Sequence, residues 1–94
     1  MQFVAIVRRR VDAYTPEQFE PMLEPEAQAV RMLYTENLIR TIWSRDDVLG
    51  ACFLMEVASR EAVDELLKRL PLISSGMAEA QVIPLRPYRG FAPR

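Results

Sequence analysis

Residues 38–58 read LIRTIWSRDDVLGACFLMEVA, two apolar runs on either side of a charged turn that ends at Gly50. Short runs rich in β-branched and aromatic residues, separated by a polar turn, mark a β-hairpin. The stretch predicts one strand over residues 38–45, a connection over 46–50 and a second strand over 51–58. If the turn is symmetric, Arg40 stands opposite Glu56, Ile42 opposite Leu54 and Ser44 opposite Cys52, all on one face. The other face then holds Ile39, Thr41, Trp43, Phe53, Met55 and Val57. This register depends on the symmetry of the turn, because a slip of one residue exchanges the two faces.

Upstream, residues 2–8 (QFVAIVR) form a strand that is apolar at nearly every position. A strand of that kind is normally covered on both sides. Thr15-Pro16-Glu17-Gln18 then starts a helix, with Thr15 as N-cap, Pro16 at the first helical position and Gln18 placed for a capping box. Pro21 and Pro25 each lack the N–H that a helix interior needs. The expectation is therefore a short turn over 16–20, a break, and a main helix over 25–36 capped by Glu24. Ala29, Val30, Leu33 and Tyr34 would face a sheet, and Asn37 would end the helix in a left-handed conformation.

Downstream of the hairpin, Ser59 caps a second helix over 59–70, and Pro71 stops it. Glu61 in its first turn and Lys68-Arg69 in its last suit the helix dipole. Residues 72–76 cross back to a fourth strand over 78–85, where Pro84 marks an edge position or the end of the strand. The tail over 86–94, RPYRGFAPR, carries Tyr88 and Phe91 and is expected to dock, for example on a neighbouring subunit.

The order β-α-β-β-α-β is the ferredoxin-like plan, an α+β sandwich with a four-stranded antiparallel sheet and helices on one face. The other face also reads apolar, so a second copy packed against it, a homodimer, is the economical expectation. The 94 residues make one domain, 1–94. A net charge of −1 with both signs interspersed argues against nucleic acid as a partner, and Arg8-Arg9-Arg10 reads as a solvated strand end. The chain has no histidine, and its one cysteine, Cys52, sits in an apolar run without a base to activate it. No cluster of cysteines or carboxylates has metal-ligand spacing, so no metal is expected. No apolar run reaches the ~18 residues of a membrane span, and no secretory pattern is present. A cytoplasmic protein without a membrane partner is expected.

The chain resembles the muconolactone isomerase family of the dimeric α/β-barrel group from Glu26 onward. The matching pieces are Ile42-Trp43, the run ending in Glu56-Val57-Ala58-Ser59, Leu70-Pro71-Leu72 and Ile83-Pro84-Leu85. The resemblance implies a cofactor-free isomerase that moves a proton within an unsaturated lactone in aromatic catabolism. It also implies a dimeric barrel that can build larger rings such as decamers. Glu26 lines up with a family glutamate. The chain departs from the family where Thr41 stands in place of a histidine, Ile39 in place of a tryptophan and Arg45 is displaced by one position; a C-terminal histidine is also missing.

Without histidine, a proton shuttle needs a carboxylate base, and Glu26 and Glu56 are the candidates. Arg40, Arg45, Tyr34 and Tyr88 are candidates for binding a substrate carboxylate or an enolate oxygen, with Trp43 as a stacking wall. Several have a plainer alternative: Arg40–Glu56 as a self-neutralising ion pair, Glu26 as a first-turn carboxylate, Trp43 and Phe53 as core or interface residues. Three functions remain open: a lactone-isomerase-type enzyme, a cofactor-free oxygenase on the same plan, and a non-catalytic binding or assembly module. A cavity with Glu26 or Glu56 inside favours an enzyme, whereas a cavity filled by Trp43, Phe53 and Met55 favours the module.

Overall fold

The computed structural model describes residues 1–91; the last three residues of the tail lie outside the described residues. Strand β1 (Gln2–Arg9) leads into helix α1 (Pro16–Thr35), then β2 (Ile39–Ser44), β3 (Gly50–Glu56), α2 (Arg60–Lys68), the single turn α3 (Pro71–Ser74) and β4 (Ala78–Leu85). The sheet order is β2-β3-β1-β4, and every pairing is antiparallel. This is the ferredoxin-like plan expected from the element order. Pro84 lies on β4, an edge strand, where a missing N–H breaks no ladder on the outer side.

Alternation along β1 sets the layers. Phe3, Ala5 and Val7 are buried beneath the helices together with Phe53, Met55 and Ile39 of the other strands. They pack with Phe19 and Leu33 of α1 and Val63 and Leu66 of α2. Each large side chain buried here contributes ~1.5–3 kcal/mol.

Helix α1 differs from expectation: it runs unbroken through Pro21 and Pro25. The capping box forms as read, with the Thr15 side chain accepting from the Gln18 N–H and Gln18 accepting from the Thr15 N–H. Both internal prolines lie exposed, four residues apart on the outer strip of the helix. The carbonyls they leave unpaired can therefore be hydrated, while Phe19, Leu33 and the half-buried Met22, Leu23, Ala29 and Val30 hold the inner strip. Glu24 is thus mid-helix and no cap; it pairs with Arg31 at 2.6 Å. Asn37 does end the helix at φ 63°, and the N–H groups of Asn37 and Leu38 close onto the carbonyls of Tyr34 and Leu33.

The hairpin register differs by one residue. Ile42 faces Phe53, Trp43 faces Cys52 and Ser44 faces Ala51, with an irregularity between Ile39 and Thr41 that leaves Arg40 outside the ladder. Gly50 explains the slip. It belongs to β3 rather than to the turn, and opposite Arg8 it lies so near β1 that a Cβ would sit 2.0 Å from the Val7 carbonyl oxygen. The Arg45 N–H then closes the turn onto the Gly50 carbonyl at 3.0 Å. Ile42 and Ser44 consequently share the helix-facing side with Ala51 and Phe53, while Trp43 shares a parity with Cys52 and Leu54.

The second helix ends earlier than expected, and the crossing segment contains α3, which closes through Gly76 at φ 78° onto Ile73 and Leu72. In the tail, Tyr88 and Phe91 pack edge to face on each other at 4.9 Å and are 71% and 86% exposed, so among the described residues these two rings are not buried against the domain.

Candidate functional site

A cavity of about 440 Å³ lies between α1, α3 and the helix-facing side of the sheet, at the end where β1 exits and the hairpin turns. Its walls are apolar, built largely from Leu23, Val30, Ile42, Phe53, Leu72 and Ile73. Such a volume is in the range of small-molecule sites. The polar groups that reach it are Arg9, Glu26, Arg31 and Ser44, with Trp43 at its border on edge strand β2.

Glu26 stands in the middle of the inner strip of α1, one turn from Leu23 and from Val30. Its Oε1 accepts the Leu72 N–H at 2.8 Å, one of the donors that the first turn of α3 leaves unpaired. Burial pushes the Glu26 carboxyl above the usual glutamate range; the Leu72 N–H and the nearby Arg9 charge pull the other way without cancelling it. This carboxylate is thus anchored by one oxygen, partly desolvated and placed in a cavity.

Arg9 continues the inward alternation of Phe3, Ala5 and Val7. Its guanidinium carbon lies 5.6 Å from the centroid of the Phe19 ring. Arg8 and Arg10 are turned to other work: Arg8 pairs with Glu79 on the open face of the sheet, and Arg10 donates to the Gly76 carbonyl at 3.2 Å. The run 8–10 is thus three residues in three environments rather than one solvated cluster. The missed signal is the period of two that begins at Phe3.

The remaining candidates do not converge here. Glu56 accepts from the Met1 ammonium at 2.9 Å, and the expected Arg40–Glu56 pair does not form, because the irregularity in β2 takes Arg40 out of register. Arg45 is bound through two hydrogen bonds, 3.0 and 2.6 Å, to Asp47, whose carboxyl is held down at about 2 by that contact. It borders a separate depression of about 320 Å³ with Ile6, Arg8 and Glu79. Tyr34 is 59% exposed in the last turns of α1 and does not line the cavity. Tyr88 follows Leu85, which pairs with Gln2, five residues before the cavity residue Val7; that is ~17 Å along the strand. Among the described residues, no group of His, Cys, Asp and Glu converges as a metal site, and no helix is long and apolar enough to cross a membrane.

These features define a ferredoxin-like domain with an acid-bearing cavity between its helices and its sheet. The chain has the fold of muconolactone isomerase, whose crystal structure matches it with a TM-score of 0.79 and 21% identity over 100% of this chain and 97% of that one. A second match is 5-chloro-2-hydroxyhydroquinone dehydrochlorinase from Burkholderia phenoliruptrix AC1100, solved with 2,5-dihydroxybenzoquinone. There the TM-score is 0.69 and the identity 16%, over 96% of this chain and 98% of that one. No protein-family model and no curated protein sequence matches the chain.

Proposed function

We propose that the protein is a small-molecule enzyme that moves a proton within a lactone or a related intermediate of aromatic catabolism, with Glu26 as the base that takes and returns it. The observation that carries this reading is the anchored, desolvated Glu26 carboxylate in a cavity of about 440 Å³. A carboxylate whose affinity for protons is raised by burial is better matched to abstracting a proton from carbon near neutral pH than an exposed one. The proton leaves one carbon for Glu26 and returns from it to another, so no oxidant and no cofactor enter the balance. Two proteins of the same fold act on compounds of this class, one by isomerisation and one by dehydrochlorination. The alternative of a non-catalytic module is disfavoured because Met55 is buried in the core, Phe53 forms only part of one wall and Trp43 stands at the border, so the cavity is not filled. Turnover of a panel of unsaturated lactones and chlorinated hydroquinones by wild type and Glu26→Gln tests the proposal. Conversion by wild type that falls by ~10²–10⁴-fold in the variant is the expected result; equal turnover by both rules Glu26 out.

We further propose that a second copy covers the open sheet face in a homodimer. Val4, Ile6, Cys52 and Leu54 lie half-buried there, and Ile83 and Leu85 are 37% and 41% exposed, a continuous apolar surface on three strands. Sedimentation at micromolar concentration should give twice the monomer mass, and Leu54→Arg should return it to one.

A further inference from the structure

We infer that Arg9 is the specificity-determining residue of the cavity, and that it selects ligands carrying a carboxylate over their neutral isosteres. The inference rests on the site proposed above and adds the chemical class that the site accepts.

Arg9 is half-buried on β1, and its backbone is held from both sides: its N–H donates to the Leu49 carbonyl at 2.9 Å, and Ala78 is its partner in β4. Its guanidinium rests on the Phe19 ring, which in turn meets Tyr14 edge-on at 6.1 Å. A guanidinium stacked on an aromatic face keeps its in-plane N–H donors available and loses little further freedom when it binds. Among the described residues, no carboxylate lies within ion-pair distance of Arg9, although six other cationic groups have such a partner. Arg31, the other cation of the cavity, already pairs with Glu24. Glu26 faces Arg9 without an ion pair, and its carboxyl is anchored instead on the Leu72 N–H.

A half-buried arginine with no carboxylate at ion-pair distance is left short of a partner, and apart from Glu26, Arg31 and Ser44 the cavity in front of it is apolar. The missing partner is therefore an anion that enters with the ligand, and the planar fork of donors fits a carboxylate. A ligand seated on Arg9 extends between apolar walls towards the unanchored oxygen of Glu26. Arg9 is a binding residue in this scheme; no bond is made or broken at it.

Benzoate and benzamide, a pair of equal shape and different charge, test the inference by amide-detected NMR titration of wild type, Arg9→Gln, Arg9→Lys, Arg31→Gln and Glu26→Gln. Wild type should prefer benzoate by about tenfold or more, the scale of one charge-assisted hydrogen bond. Arg9→Gln should lose that preference while its benzamide affinity stays the same, and Arg9→Lys should keep part of it. Arg31→Gln should retain it. Glu26→Gln should bind benzoate as tightly as wild type or more tightly, whatever its turnover, which separates this inference from the identity of the base. Equal affinity of wild type for the two probes, no benzoate binding at tens of millimolar, or a preference that follows Arg31 instead would overturn it. If Arg9→Gln fails to fold, the wild-type ratio and Arg9→Lys still decide.

Discussion

Glu26 and Glu56 are both glutamates beside apolar residues, and on composition alone they are equivalent candidates for a base. The fold separates them completely. Glu26 is carried by the inner strip of α1 into a cavity, where its one protein partner is a backbone N–H and burial raises its affinity for protons. Glu56 ends β3 at the opposite end of the sheet from the cavity, 39% exposed and beside the Met1 ammonium. The contrast teaches that a carboxylate becomes chemically useful through what surrounds it, and sequence neighbours do not reveal those surroundings.

The sharpest test of the contrast is catalytic. Glu26→Gln should lower kcat by ~10²–10⁴-fold on whichever lactone or hydroquinone the wild type converts, whereas Glu56→Gln should stay within about threefold. A loss confined to Glu56→Gln would reverse the assignment. Next in size is packing: Leu33→Ala, on the inner strip of the same helix that carries Glu26, should cost ~2–5 kcal/mol in urea unfolding, because Leu33 is fully buried. A cost below about 1 kcal/mol would mean that α1 is held by something other than its inner strip.

The pH dependence of stability follows from the sign of the Glu26 shift. Its carboxyl binds protons more tightly in the folded chain than in the unfolded one, so its contribution is most favourable below the ordinary glutamate value. Stability then falls as the pH rises through the folded value. Glu26→Gln can still accept the Leu72 N–H and has no such titration. Melting temperatures measured from pH 4 to 8 should therefore favour the variant increasingly as pH rises. A gap that is constant with pH would leave burial without its expected effect. Smallest of all, Glu56→Gln should cost at most ~1 kcal/mol, the scale of an exposed ion pair, and less in high salt.

The architecture was legible in the sequence because its signals are local. The Thr15 capping box, the Ser59 cap, Asn37 at positive φ, and the limits of β4 all stand as read. The candidate site was only partly legible, and two specific misreadings account for the loss. Taking Pro21 and Pro25 as helix breaks made Glu26 a first-turn residue, whereas the unbroken helix makes it the one charged residue on a buried strip. The strip at 19, 22, 23, 26, 30 and 33 was the available signal, and it requires accepting that exposed prolines can be tolerated within a helix. Taking Gly50 as a turn residue shifted the hairpin by one position and placed Arg40 opposite Glu56. No local feature of the hairpin reports that β1 passes close enough to demand a glycine there.

The sequence by itself determined the order of the elements and the ferredoxin-like plan, and it named Glu26 and Glu56 together as possible bases. Caps, turns and periodicity act over a few residues, and a few residues are enough to specify them. Only the tertiary structure decided the register, the cavity and the pairing of charges. It separated Arg9 from Arg8 and Arg10, left Arg40, Arg45, Tyr34 and Tyr88 out of the lining of the cavity, and set Glu26 against the Leu72 N–H, 46 residues along the chain. Burial and electrostatic neighbours depend on contacts between distant segments, and those exist only once the helices close over the sheet.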